Sequence, residues 1–190
     1  MIVMLPKPDG GTRPIGLFPA AIRLWMRARS PGLRHWESTH NPEDIFGNGE
    51  RTAARAAWLA AFEAEAASGD KDFYAQSLLD LVKAFESVPH DSLWRAAKER
   101  GFPLSTLRLA IRAYRIPRTI SIGGICSRIV NPTRGITAGS GTATAELRLL
   151  MLDLLVALKA AAPNVTCKIY VDDVNLEIRL PNPARKARPT

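Results

Sequence analysis

Apolar and polar positions change period several times along the chain, and each change marks an element. Residues 1–13, rich in Pro and Gly (LPKPDGGTR), read as two short extended pieces around an Asp-Gly-Gly turn flanked by Lys7 and Arg13, and a helix follows over about residues 19–29. After the loop SPGLRHWESTHNPEDIFGNG, residues 52–67 are so rich in Ala that a helix is predicted, ended by Ser68-Gly69-Asp70. Residues 73–81 (FYAQSLLDL) read as a strand entering the core, and Leu78 and Leu79 beside Asp80 predict burial on both faces.

Asp91 is placed to cap a helix running through Leu93, Trp94 and Ala97 to a stop at Gly101, and Pro103 opens a second helix reaching about Tyr114. Residues 118–122 and 126–130 flank Gly123-Gly124 as in a β-hairpin. Residues 135–141 then turn into an apolar helix over 142–161 that carries Glu146, Arg148, Asp153 and Lys159. Residues 166–171 and 174–178 run apolar on either side of Asp172-Asp173, the pattern of a hairpin with that pair as its two-residue loop. The order strand, helices, hairpin, helix, hairpin predicts an α+β fold, with a small antiparallel sheet covered by helices on one face. No internal repeat is evident.

Composition bounds the rest. A chain of 190 residues suits one domain, and a domain of this size buries roughly 70% of the surface its unfolded form exposes. Lys and Arg outnumber Asp and Glu by 26 to 18, a formal charge of +8 that favours a polyanionic partner such as nucleic acid. Cys126 and Cys167 lie far apart with neither CxxC spacing nor paired histidines, so reduced thiols are expected rather than a zinc site or a disulfide framework. The first residues lack a signal-peptide pattern, and no uncharged stretch reaches the roughly 18 residues of a membrane span. A soluble, intracellular protein that is not secreted is therefore expected. His35, His40 and His90 have no ligand-set spacing and are assigned no chemistry. Trp25, Trp36, Trp58 and Trp94 sit mostly at helical spacing among Ala and Leu, which favours core packing over base stacking.

The hairpin tip IYVDDV carries the chemistry. A loop that needed only to turn would favour Asn-Gly or Asp-Gly, where positive φ costs little. Two adjacent aspartates repel each other unless a cation lies between them, and their hard oxygens suit Mg²⁺ or Mn²⁺. Surface loops often contain Asp-Asp, so the dipeptide alone is a weak signal. Asp80, at the end of a second apolar strand, changes the weighing: aligning the two strands in one sheet gathers three carboxylates. Such sites hold two ions about 3.5–4 Å apart that clamp the attacking and leaving oxygens of a phosphoryl transfer.

Through DLVKAFESVPHDSLW, RGITAGS and YVDD, in that order, nearly the whole chain resembles the reverse transcriptases of non-LTR retrotransposons and group II introns. The resemblance implies the fingers and palm of a right-hand polymerase, with residues 1–70 fingers-like, 71–180 palm and 181–190 a basic, disordered tail. It implies a Mg²⁺- or Mn²⁺-dependent RNA-directed DNA polymerase using an RNA template, a DNA primer and deoxynucleoside triphosphates. Asp80 and Asp172 would be the main metal ligands, Asp173 a weaker one, the Leu81 carbonyl a further one, and Tyr170 would lie beside the primer terminus. Phe85 matches the family's steric gate, whose ring fills the space a ribose 2′-hydroxyl needs; its plain alternative is a core Phe. PKPDGGTRPIGL resembles the fingers motifs, in which Arg13 grips the incoming triphosphate and Lys7 assists, against the alternative of a solvated basic loop. In RGITAGS the backbone at Gly135 and Gly139 would approach template and nucleotide, while the family's Gln is Ala138 here, and Glu86 stands where an aspartate is usual.

The family continues past the Asp-Asp hairpin into a thumb, whereas this chain ends seventeen residues after Asp173, so it reads as a fragment. Three readings follow: a DNA-synthesising domain, an inactive remnant binding nucleic acid through basic residues, and a nuclease built on the same carboxylates.

Overall fold

A computed structural model describes residues 1–8, 10–47 and 49–183. Asp9 of the expected Asp-Gly-Gly turn and residues 184–190 of the expected basic tail lie outside the described residues. The elements run β1 (Ile2–Pro6), β2 (Thr12–Gly16), α1 (Ala20–Thr39), β3 (Ile45–Phe46), α2 (Ala53–Asp70), β4 (Phe73–Asp80) and α3 (Ala84–Ser87). They continue α4 (His90–Glu99), α5 (Leu104–Tyr114), β5 (Ile120–Ile122), β6 (Ile125–Cys126), α6 (Ala143–Ala161), β7 (Thr166–Tyr170) and β8 (Asp173–Leu180). The α+β expectation holds. In place of one antiparallel sheet, however, the described residues form two four-stranded sheets, each antiparallel except for one parallel pair. The chain divides into two compact units interleaved in sequence, Met1–His40 with Lys83–Leu150 and Asn41–Val82 with Met151–Thr190.

In the first unit the sheet order is β2-β1-β5-β6. The β1–β2 turn is closed by the Lys7 amide donating to the Gly11 carbonyl at 2.8 Å. The β5–β6 hairpin turns at Gly123-Gly124, both with positive φ, as the sequence predicts. Helix α1 runs ten residues beyond the expected end at Arg29 and contains Pro31. An internal proline removes one helical hydrogen bond, but Met26, Leu33 and Trp36 are buried on one face of this helix. Trp36 also donates to the Arg100 carbonyl at 2.9 Å and packs edge-on against Phe102. Tertiary packing thus carries the helix past a local breaker. Helix α4 begins one residue before the expected Asp91 cap, with Pro89 at the N-cap and Asp91 in the first turn, and Gly101 with φ +62 ends it.

The second unit contains the sheet β3-β7-β8-β4. Thr52 caps α2 by accepting from the Arg55 amide, and the helix continues through the expected Ser68-Gly69-Asp70 stop to a left-handed Lys71. Leu78 and Leu79 are not buried as expected; they are 75% and 45% exposed, because β4 is an edge strand paired to β8 alone among the described strands. Trp58 departs from the packing expectation in the same way, being 63% exposed and stacked on Phe62. Cys167 is buried and Cys126 exposed, both as free thiols. Burial pushes the Cys167 thiol up to about 11. The division between the units falls within α6, after Leu150, and Leu147, Leu149, Met151, Leu152 and Leu155 of this helix are buried. Among the described residues no helix is long and apolar enough to cross a membrane.

Candidate active site

Strand register brings two of the three predicted carboxylates together and leaves the third at the neighbouring turn. β4 pairs antiparallel with β8 along its whole length, which sets Asp80 directly opposite Asp173, and β7 pairs with β8 so that Tyr170 is opposite Asp173 on the other side. Directly opposed residues share a face with Cβ atoms about 4.5–5.5 Å apart. One row across the sheet therefore reads Phe46, Tyr170, Asp173, Asp80. The hairpin loop is Val171-Asp172 rather than the expected Asp172-Asp173, since Asp173 already belongs to β8. Val171 takes φ +59, a conformation a β-branched residue rarely adopts. Asp172 stands at the apex, half-buried, and its carbonyl accepts from the Leu81 amide at 3.4 Å. Across the same face behind these residues, Lys168 is paired with Glu177, Asn175 donates to Glu177, and Gln76 donates to Asn175 at 3.1 Å. Among the described residues no three His, Cys, Asp or Glu side chains are gathered into a ready ligand set.

A second group of expected residues lies in the first unit. Lys7 and Arg13 are both exposed at the turn end of the β1–β2 hairpin, with Arg13 opposite Leu5. Phe85, half-buried on α3, accepts from the Ile136 amide through its carbonyl at 2.8 Å. The Ala138 carbonyl accepts from the Gly16 amide at 2.7 Å, so segment 135–139 bridges α3 and β2. Gly135 is buried, its amide donating to Val88 and its carbonyl 2.9 Å from His90 Nε2. Gly139 is exposed with φ +96. A Cβ at Gly135 would stand 2.8 Å from the Glu86 carbonyl oxygen, and one at Gly139 the same distance from that of Gly16. Gly135→Ala, at φ +94, combines backbone strain with that clash and is expected to cost about 2–3 kcal/mol in chemical denaturation.

A model of the family described as reverse transcriptase (RNA-dependent DNA polymerase) matches residues 5–188. The chain belongs to the reverse transcriptase family. It is 26% identical over 143 residues to the retrovirus-related Pol polyprotein from type-1 retrotransposable element R2 of Nasonia vitripennis, covering 72% of this chain and 14% of that protein. Its fold is similar to that of apo telomerase from Candida tropicalis truncated from the C-terminal domain (TM-score 0.63, 11% identity, 96% of this chain and 44% of that one). It is similar too to telomerase from the same organism in complex with a TWJ fragment of telomeric RNA (TM-score 0.61, 11% identity, 97% and 36%). The chain thus spans about a seventh of the polyprotein and under half of the telomerase chains. These likenesses support a partial fingers and palm fold for this member of the reverse transcriptase family.

Several residues that hold the reverse transcriptase motifs in place were not evident from spacing. His90, assigned no chemistry, is buried, with Nε2 facing the Gly135 carbonyl and Nδ1 accepting from Arg115 Nε at 3.1 Å. Arg118 donates to Thr137 Oγ1 at 2.8 Å and to the Tyr114 carbonyl, and its burial lowers its pKa. Glu146, inside an apolar helix, is wholly buried, and that burial raises its carboxyl to about 7 although Tyr114 and Thr142 hydrogen bonds oppose the rise. Burial beside Glu146 raises the Tyr114 hydroxyl well above its ordinary value. A charged residue on the apolar side of α6 was the one signal the sequence offered.

Proposed function

We propose that this chain is the fingers and palm of a mobile element's reverse transcriptase domain, adding deoxynucleotides to a primer 3′-hydroxyl on an RNA template. The observation that carries the reading is the register pairing Asp80 with Asp173 beside the Asp172 turn, in a chain whose family match covers residues 5–188. Two like charges set directly opposite each other destabilise a sheet unless a cation is shared between them, and carboxylate oxygens are the donors Mg²⁺ or Mn²⁺ prefers. The residues present therefore fit a divalent ion. In this reading Asp80, Asp172 and the Leu81 carbonyl hold the metal, with Asp173 as a weaker ligand. A bound ion supplies Lewis-acid stabilisation of the charge that develops at the phosphoryl oxygens.

The remaining roles belong to this chain's own side chains. Tyr170, in the row with Asp173, contacts the primer terminus. Arg13 binds the triphosphate with its planar donors, assisted by Lys7. Gly139, exposed and without a side chain, lets backbone approach the nucleotide. Gly135 supports the same segment near the template, its own amide and carbonyl being engaged inside the protein. Phe85 excludes the 2′-hydroxyl. Residues 1–70 act as the fingers-like segment and 71–180 as the palm, and the proposed substrates imply an intracellular place of action. A hydroxyl is discriminated by an apolar pocket about 10²-fold at most, so Phe85→Val is expected to raise ribonucleotide use relative to deoxynucleotide use about 10- to 100-fold, read from kcat/KM for each.

The net charge of +8 also favours a second reading, in which the chain binds nucleic acid without synthesis. Extension of a labelled DNA primer on an RNA template, with Mg²⁺ and either deoxynucleotides or ribonucleotides, separates the two. Extension with deoxynucleotides that Asp172→Asn removes supports the polymerase. Salt-sensitive RNA binding by a folded chain that never extends the primer supports the binding remnant and sinks the polymerase reading.

A further inference from the structure

A buried carboxylate lies behind the Gly139 turn. Glu146, in the first turn of α6, is fully enclosed; its Oε2 accepts from the Tyr114 hydroxyl at 2.6 Å, and Oε1 has no hydrogen-bond partner. Tyr114, equally enclosed on α5, also holds its hydroxyl 2.8 Å from Ser140 Oγ and 3.2 Å from Thr142 Oγ1, which lie 2.9 Å from each other. Ser140 follows Gly139 directly. Its amide donates to the Thr137 carbonyl at 3.0 Å and its hydroxyl accepts from the Thr142 amide at 3.3 Å, so this one residue closes the turn with its backbone and opens α6 with its side chain.

The two ends of segment 135–142 are secured differently. Residues 135–138 are tied by Val88, Phe85, Gly16, His90 and Arg118. The Ser140 end is tied through Tyr114, with a longer contact from its hydroxyl to the Met26 sulfur at 3.7 Å. A leucine at 146 would fill the same space without enclosing a polar oxygen that lacks a partner, so packing alone does not account for a carboxyl group there. Hydrogen-bond direction does. The Tyr114 hydroxyl has a single proton, and giving it to Glu146 leaves its oxygen as an acceptor for Ser140 and Thr142. Without Glu146 that proton could go to either hydroxyl, and the cluster would have several arrangements of similar energy. The titratable and charged groups around the cluster are His90, whose ring centroid is 6.2 Å from that of Tyr114, Arg115 on His90, and Arg118 on the Tyr114 carbonyl.

We propose that Glu146, acting through Tyr114, is a positioning residue that holds the Gly139 turn in a single arrangement for nucleotide binding. The inference rests on the reading of Gly139 as part of the nucleotide site. It is tested on the full chain as wild type and as Tyr114→Phe, Glu146→Leu, Glu146→Gln and Ser140→Ala. Amide hydrogen exchange is followed at residues 139–142, with residues 166–178 as an internal reference, and KM and kcat for deoxynucleotides are measured in primer extension.

Tyr114→Phe and Glu146→Leu are expected to speed exchange at 139–142 about tenfold relative to the reference strands, since local opening is what exchange reports. They are expected to raise the deoxynucleotide KM about tenfold with a smaller change in kcat. Glu146→Gln keeps an acceptor for Tyr114 and is expected to stay within about threefold of wild type in both readouts. Should the buried substitutions prevent folding, Ser140→Ala, at the half-buried edge of the cluster, is expected to reproduce the local loosening in a chain that melts near wild type. Unchanged exchange at 139–142 in Ser140→Ala and in every folded Tyr114 or Glu146 variant overturns the positioning role, whether or not the chain extends primers. Faster exchange in a chain whose wild type neither extends primers nor binds deoxynucleotide overturns the nucleotide reading and leaves the mechanical coupling standing.

Discussion

Asp172→Asn is expected to lower primer extension by on the order of 10³-fold while the chain stays folded, and Asp80→Asn to do the same. Asparagine keeps the size of aspartate and can still sit at the apex of the hairpin, so the Leu81 amide retains its bond to the residue 172 carbonyl. What is lost is one formal charge from the proposed metal site. Divalent ions contribute several kcal/mol of transition-state charge stabilisation, and each factor of ten in rate corresponds to about 1.4 kcal/mol, which sets that magnitude. A stability measurement gives an independent reading. Asp80 and Asp173 face each other across the strand pair, so without divalent ions Asp80→Asn is expected to melt slightly above wild type, by roughly 0.2–1 kcal/mol. Millimolar Mg²⁺ is then expected to raise the melting temperature of wild type more than that of either variant, because ligand that binds only the folded state stabilises it. Wild-type melting that ignores Mg²⁺ would count against the assignment of these carboxylates as ligands even if extension were too weak to detect.

Replacing Glu146 with Gln is expected to flatten the fall of stability with rising pH. The folded carboxyl titrates at about 7 against an ordinary 4.5, burial being the main cause. Between those values the folded chain holds a proton that the unfolded chain has released, so stability decreases as pH rises from about 4.5 and levels off above about 7. Full stability from this group is therefore present in the acid range and lost in the alkaline one, the reverse of an ion-paired carboxylate. At about 1.4 kcal/mol for each tenfold change in proton affinity, the loss approaches about 3 kcal/mol. Denaturation midpoints at pH 5 and pH 8.5 for wild type and Glu146→Gln measure it, the other titrating groups being common to both. Parallel pH profiles would mean that Glu146 is not held neutral in the folded chain.

The local pattern was sufficient wherever one element could be read without its neighbours. The Ala-rich run, the Gly123-Gly124 hairpin, the Gly101 stop, and the strands ending at Asp80 and starting near Asp172 all follow from propensity and period, because short-range sterics and side-chain alternation decide them. Resemblance through the motifs DLVKAFES, RGITAGS and YVDD named Asp80, Phe85, Gly139 and Asp172 as candidates from the sequence.

Other features depend on partners distant in sequence. Residues 30–39 read as loop until Trp36 is found bonded to Arg100 and packed on Phe102. Leu78 and Leu79 read as core until the sheet order puts β4 at an edge. The two aspartates at 172 and 173 read as one loop until the pairing of Tyr170 with Asp173 moves one of them into a strand. His90 lies within DLVKAFESVPHDSLW yet showed no ligand-set spacing, and Tyr114 and Glu146 belong to no motif, since each acts through a bond to a residue between 26 and 45 positions away. Composition and period by themselves determined most of the strands and helices and singled out the carboxylates as candidates for a metal. Only the tertiary structure decided which faces are covered, how the strands register, and what holds the Gly139 turn, because burial and hydrogen bonding between distant segments are set by packing rather than by local preference.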